Sequence, residues 1–424
     1  MAEHIFTGFG FGPIQAGLFV NEAFCSGNFS HIVIAEVDEQ LVDAVRANKG
    51  SYFVNISHKD GIEATKVEGI EILNPKVRAD RNALIRALSK STEIATCLPS
   101  VSFYSLGSEN GVAGIISQGL QKSKADATIV YTAENNNRAA EILEANVGQG
   151  RNSAGHPVQY LNSVIGKMSR VVTGQEEIKQ MNLTAIAPGI DRAFLVEEFN
   201  RIYVTKCNLS GFRPGIEVFI EKADLLPFEE AKLYGHNAIH ALIAYLGEVK
   251  GLDRMTDVGR DTAIMKIGYD AFVNESGAAL ISKYKGIGEE LFTMDGFRVY
   301  AEDLLERMTS QYLADTVERG GRDPVRKLGY NDRIFGTMAL AAEQGIEPKN
   351  MALGAVAGII ALIRNAQENK LPEELQLDDW HQLEEVMIEK IIDWVWGNNK
   401  GIYGDRLIGY TQRARSDMES FVEE

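Results

Sequence analysis

The sequence predicts an α/β protein, with an N-terminal Rossmann-type doubly wound domain over residues 1–222 and a mostly α-helical C-terminal domain over residues 223–424. Two observations carry this. The first half alternates short β-rich runs with helical periodicity, the pattern of a parallel sheet flanked by helices. After the turn at Arg213, Pro214 and Gly215 the texture changes to amphipathic helices that continue almost to the C-terminus. A length of 424 residues also exceeds what one hydrophobic core usually supports.

In order along the chain, an apolar run beginning at Ile5 and Phe6 opens the sheet. Residues 31–36, 93–98, 128–132 and 201–205 supply further strands, each ending in polar or Gly-rich residues. Ligands of such sheets sit at the carboxyl ends of the strands. Trp380, Trp394 and Trp396 fall on the late helices and are expected to pack rather than to bind. No internal repeat or low-complexity tract interrupts the pattern.

Composition excludes several functions. Hydrophobic residues at 45% and charged residues at 24% are ordinary for a folded globular chain and unlike disorder. A net charge of -16 opposes a nucleic-acid partner, because phosphate backbones demand a basic face. Cys25, Cys97 and Cys207 form no CxxC pair, which fits a reducing compartment. The first residues lack a positive secretory leader, and the apolar stretch 351–363 is too short and Gly-interrupted to span a bilayer. The expected setting is cytoplasmic, without membrane contact.

Directly after the first strand stand Gly8, Gly10, Gly12, Pro13, Ile14, Gln15 and Gly17, followed by a helical pattern. This is the strand, Gly-rich turn and helix that a pyrophosphate site needs. Gly10 would make the sharp turn, Gly12 would let backbone approach phosphate, and the helix beginning near Pro13 would point free N–H groups at the charge. The third fingerprint position is Gln15 instead of Gly. Glu36 ends the next strand, where a carboxylate accepts from both ribose hydroxyls and repels a 2′-phosphate, so NAD is expected over NADP. Asp38 or Glu39 are alternatives for that duty.

Residues 228–247 read as a helix with an unusual polar set. At about 100° per residue, Lys232, His236, His240 and Asn237 fall near 0°, 40°, 80° and 140°, on one face. Hydride transfer from an alcohol needs a base for the hydroxyl proton and donors for the developing alkoxide. Lys232 suits the first role if burial and positive neighbours lower its pKa, and Asn237 with one histidine suits the second. The wheel does not separate His236 from His240. A solvated lysine beside packed core histidines is the plain alternative. No HExxH or clustered metal-ligand spacing occurs, so no metal is expected.

At these residues the sequence resembles the polyol-specific long-chain dehydrogenases, especially their branch acting on phosphorylated substrates. The resemblance implies Lys232 as base, Asn237 and His240 as alkoxide stabilisers, and thereby chooses His240 over His236. Glu134 and Asn135, with Asn137 and Arg138, resemble the family's E-N-x-x-R segment beside the nicotinamide. The run from Asp323 through Arg326, Lys327, Asp332 and Arg333 resembles its P-x-R-K-L motif. Ser169 stands where relatives often carry Asp. The likeness runs from the first strand to about residue 365. It implies NAD as cofactor and a small-molecule sugar phosphate or polyol as substrate, with the hydride passing in the cleft between the domains and the chain a monomer or small homo-oligomer. Arg322, Arg326, Lys327 and Arg333 are the local candidates for gripping a substrate phosphate, against surface ion pairing with Asp323 and Asp332. An unphosphorylated polyol or hexonate and a non-catalytic NADH sensor are the rival readings.

Overall fold

Residues 4–148, 156–198, 202–397 and 399–423 are described by the computed structural model. Arg201, where the sequence suggests a strand to begin, lies outside them. Among the described residues twelve strands form, β1 (His4–Phe9), β2 (Phe29–Ala35), β3 (Tyr52–Ser57), β4 (Ile62–Val67), β5 (Glu71–Leu73), β6 (Glu93–Thr96), β7 (Thr128–Thr132), β8 (Val158–Val164), β9 (Ser169–Thr173), β10 (Arg192–Glu197), β11 (Ile202–Thr205) and β12 (Phe219–Lys222). Eight of them join one sheet in the order β12-β11-β8-β7-β6-β1-β2-β5. All pairings in it are parallel except β8 with β11.

The central strands explain themselves chemically. Every residue of β6 and β7 is buried, as a parallel strand covered on both faces requires. On β1, Phe6 packs into one apolar cluster with Phe19, Tyr131 and Phe194, while Phe9 packs into another with Leu84, Ile116 and Leu143. Chain order runs outward from β1 through β2 and from β1 through β6, so a crevice opens at the carboxyl ends of β1 and β6.

A second, four-stranded sheet, β4-β3-β10-β9, is not foreseen in the sequence. Its strands are short, and β4 leaves Glu63, Ala64 and Lys66 exposed, so the alternation that marks a half-buried strand is weak there. Asn55 ties it together by donating to the carbonyls of Thr184 and Phe194.

The chain divides into two compact units, Met1–Leu226 and Pro227–Glu424. The second is helical. Its central helix, Lys349–Arg364, is buried at every position from Met351 to Ile363, which accounts for the most apolar stretch of the sequence. Gly354 and Gly358 let neighbours come close: a Cβ there would lie 2.9 Å from Leu242 Cδ1 and 3.0 Å from Leu328 Cδ2. Each fully buried Leu or Ile side chain contributes about 1.5–3 kcal/mol. The C-terminal helix Gly404–Glu423 covers this helix, giving the tail of the chain a packing role. Trp380 and Trp396 are buried and Trp394 half-buried. The Trp396 indole donates to Leu328 O at 2.9 Å and stands edge-on to Tyr330 and Phe335.

Candidate active site

In the first unit, the site grows from the turn after β1. Gly10 has φ of 83°, and a Cβ on it would sit 2.6 Å from the Cys97 carbonyl oxygen, so the turn itself requires glycine. Gly12 differs. Nothing lies within 4 Å of its would-be Cβ, so the fold has no need of glycine there, whereas a ligand against the backbone would. A helix begins at Pro13 and continues to Ser26, with its N-terminus facing the turn.

Glu36 is tied to this turn. One carboxylate oxygen accepts from the Phe11 N–H at 2.7 Å, and the other accepts from Val37 and Asp38 at 2.7 and 2.8 Å. The oxygen facing Phe11 retains a lone pair for a hydroxyl. Asp38 is committed elsewhere: it caps the helix Glu39–Ala47 and pairs with Arg192 at 2.7 Å. A cavity of about 800 Å³ opens here, lined by residues 9–15, Glu36, Val37, Cys97, Leu98, Phe103, Leu106 and Ala133. Its lining is mainly apolar, as an adenine pocket demands. Lys76 and Arg81, which the sequence reading did not single out, also line it. Ile14 and Gln15 belong to the lining, and Gln15 is fully buried with neither amide atom hydrogen-bonded. Its Nε2 lies 1.9 Å from where a Cβ on Gly8 would be, so Gly8 on the strand supplies the room that a helix glycine would otherwise give.

Glu134 is buried and accepts from Leu98 N–H at 2.8 Å, Thr96 Oγ1 at 3.0 Å, and the Tyr104 hydroxyl. Burial pushes its carboxyl up, against the pull of these donors. It therefore braces the ends of β6 and β7. Asn135, Asn137 and Arg138 are exposed just beyond it.

Opening the second unit, Leu226–Glu230, Ala231–Asn237 and Ala238–Val249 form one continuous helix, all but its first residue within that unit, whose middle section is a widened, π-type turn. The widening replaces the uniform 100° step assumed from the sequence, precisely where Lys232 and Asn237 sit. Lys232 is partly accessible, yet its amine is set deeply enough that desolvation, helped by Arg333 and opposed by Glu229, pushes its pKa down to about 8. His236 is buried at 6% exposure, whereas His240 is more open and its Nε2 lies 3.0 Å from Asp315. This separates the two histidines. Asp315 also accepts from Arg319 at 2.9 Å and from Thr316 N–H at 3.0 Å. Although burial alone would raise it, the His240 bond and Arg319 hold its carboxyl well below the usual range. Asp315 thus orients His240 as a carboxylate orients a catalytic imidazole. The sequence reading missed it, since the pair is 75 residues apart and only the local Asp315–Arg319 spacing hints at it.

The basic cluster is not uniform. Arg326 is half exposed and pairs with Asp323 at 2.6 Å and Asp332 at 3.4 Å. Arg333 is largely buried and bonds Asp332 at 2.8 Å. Lys327 is 4% exposed, donates to Gly320 O at 2.5 Å, and has no carboxylate within ion-pair distance among the described residues. Desolvation, then Arg333, Arg326 and Arg322, push its amine down to about 7. A larger cavity of about 1020 Å³, bordered by Glu347, Lys349, Glu384, Arg413 and Asp417, contains none of these residues.

A doubly wound sheet with a Gly-rich turn and a helical unit carrying a desolvated amine fit an NAD-dependent polyol dehydrogenase, the class that the comparisons support. Residues 224–402 match the mannitol dehydrogenase C-terminal domain. It is similar to the mannitol-1-phosphate 5-dehydrogenase of Halalkalibacterium halodurans, 26% identical over 92% of this chain and 99% of the relative. That of Clostridium acetobutylicum is 27% identical over 95% and 96%. In fold it matches Pseudomonas fluorescens mannitol 2-dehydrogenase in its ternary complex with NAD and D-mannitol (TM-score 0.72, 14% identity, 99% of this chain and 94% of that one). It also matches a D-sorbitol dehydrogenase (TM-score 0.77, 14% identity, the same coverage). Among the described residues no helix is long and apolar enough to cross a membrane.

Proposed function

We propose that this chain interconverts mannitol 1-phosphate and fructose 6-phosphate with NAD, using Lys232 as its base and no metal. The observation that carries the reading is a buried amine poised near pH 8 on the same helix as a carboxylate-oriented histidine. The first unit fits the dinucleotide. Gly10, Gly12, Pro13, Ile14 and Gln15 would cradle the pyrophosphate at the helix N-terminus, Glu36 would take the ribose hydroxyls, and Glu134 would brace the strand ends from which Asn135 reaches the nicotinamide. Bound NAD supplies the carbon that accepts or returns a hydride.

The chain's own groups do the rest. Lys232 Nζ, unprotonated, takes the substrate hydroxyl proton as the C–H hydride departs, and Asn237 and His240 hold the developing alkoxide. Asp315 keeps the His240 ring in place. In reduction the lysine returns the same proton. Lys327 and Arg333, with Arg326 at the rim, receive the phosphate, and Asn137 assists with the substrate; a buried cation lacking a carboxylate is completed by an anionic ligand. The three cysteines are free, in keeping with a reducing cytoplasm.

Lys232→Ala should abolish turnover while leaving NADH affinity nearly intact; normal turnover in that variant would end the assignment. One observation favours an unphosphorylated polyol or hexonate: Arg326 already has two carboxylate partners. Comparable reduction of fructose and fructose 6-phosphate would decide for that reading.

A further inference from the structure

A widened helical turn strands a backbone carbonyl, because one residue more is fitted in than the hydrogen-bond ladder can serve. In Ala231–Asn237 the ladder can be followed. The Ala238 N–H donates to the carbonyls of Leu233 and Gly235, passing over that of Tyr234. The Tyr234 oxygen is satisfied from other helices instead. Ser276 Oγ donates to it at 2.7 Å, and Thr337 Oγ1 lies 3.1 Å away. Both hydroxyls are fully buried. Thr337 has a single proton and lies only 2.5 Å from the Arg333 carbonyl, so Ser276 is the committed donor.

The direction of the Ser276 bond is informative. A serine inside a helix ordinarily turns its hydroxyl to its own preceding carbonyls or to water. Ser276 lies in a second widened turn, Ala271–Gly277, and bonds a carbonyl 42 residues away. Gly235 and Gly336 hold the neighbouring rings at close range: a Cβ on either would meet Phe272 at 2.9 Å or Tyr234 at 2.7 Å. Lys232 precedes the stranded carbonyl, and Asn237 and His240 follow it. The angle between base and alkoxide donors therefore depends on the turn staying wide. Were Tyr234 O to take the Ala238 N–H in an ordinary α-turn, Lys232 would rotate against His240.

We propose that Ser276 is a positioning residue for the reaction, its hydroxyl keeping the Lys232 turn open and thereby fixing the amine relative to Asn237 and His240. The proposal rests on Lys232 being the base. It places a determinant of catalysis on a helix that carries none of the proposed catalytic residues.

The test is Ser276→Ala with Ser276→Thr as rescue, assayed for kcat across pH and for NADH binding by fluorescence. Small displacements of a reacting group cost rate steeply, so Ser276→Ala should lower kcat roughly tenfold or more and move the inflection of the pH profile, with NADH affinity unchanged. Ser276→Thr should recover most of the loss. Should the alanine variant not fold, Ser276→Cys keeps the volume while weakening the donor, and the same pair of effects is expected. Wild-type kcat and an unmoved inflection in a folded Ala or Cys variant would overturn the proposal. If Lys232→Ala is inactive and Ser276→Ala is unaffected, this inference alone fails; turnover by Lys232→Ala removes the base assignment itself.

Discussion

The reactivity proposed for the Lys232 amine would come from its position more than from its residue type. Desolvation is the largest cause of its lowered pKa and the Arg333 guanidinium the second, so removing the guanidinium should return it toward the ordinary 10.5. The proposed oxidation needs the neutral amine. In the wild type, kcat for alcohol oxidation should rise through an inflection near 8, the value to which the amine is pushed. In Arg333→Gln the inflection should move upward, slowing oxidation at neutral pH and recovering it in alkali. Arg333 is also proposed to meet the phosphate, so kcat at saturating substrate is the quantity to follow, and an unmoved inflection would deny the coupling. Residue chemistry was partly legible: Lys232, Asn237, the pair His236 and His240, and Glu36 stand out by type and spacing, and the resemblance chooses His240 of the pair. Asp315 was not, because its meaning comes from a partner 75 residues away. The three backbone donors on Glu36 were equally hidden, since a strand-end acid looks the same in sequence whether it holds a ligand or its own loop.

Among elements, the Gly-rich turn shows how one motif contains glycines of different purpose. Gly10 is demanded by a positive φ and by the Cys97 carbonyl, whereas Gly12 meets nothing. Gly10→Ala should therefore distort the turn and lower the thermal unfolding midpoint. Gly12→Ala should leave the midpoint unchanged yet weaken NADH binding tenfold or so, about 1.4 kcal/mol, by filling the space a pyrophosphate needs. Equal melting losses in both variants, with NADH affinity retained in Gly12→Ala, would show that the turn is merely structural. In the large sheet β1, β2, β6, β7 and β11 were readable, the central ones because burial on both faces leaves a mostly apolar run, as in β7, whereas β5, β8 and β12 were not. The four-stranded sheet was not, its exposed edge strand carrying Glu63 and Lys66 where alternation should appear. The helix of Lys232 was readable as a helix but not as a widened one. Periodicity assumes a constant step, and the extra residue is accommodated by Ser276 and by the rings around Gly235, which no local pattern announces.

For the whole molecule, the proposed functions divide along the chain: the proposed dinucleotide elements lie before Leu226, and the proposed base and phosphate cluster after Pro227. With a net charge of -16, the two anionic ligands of the proposed reaction would approach an acidic protein, so their capture would rest on local features such as a helix N-terminus in one unit and Lys327 with Arg333 in the other. Hydrogen exchange read along the chain should resolve this division. A ligand at 100 times its dissociation constant stabilises by about 2.7 kcal/mol, slowing by roughly a hundredfold those amides whose opening destroys its site. NADH should protect the amides of residues 10–16, 36–38 and 97–99. Fructose 6-phosphate, added with NADH, should extend protection to residues 320–333, while fructose with NADH should not. Inorganic phosphate alone should reproduce part of that second footprint, more strongly below pH 7 than above, because Lys327 loses its proton near 7 and a neutral amine no longer attracts the anion. Protection of 320–333 by fructose equal to that by its 6-phosphate would remove the phosphate from the cluster and leave these cations to structure alone.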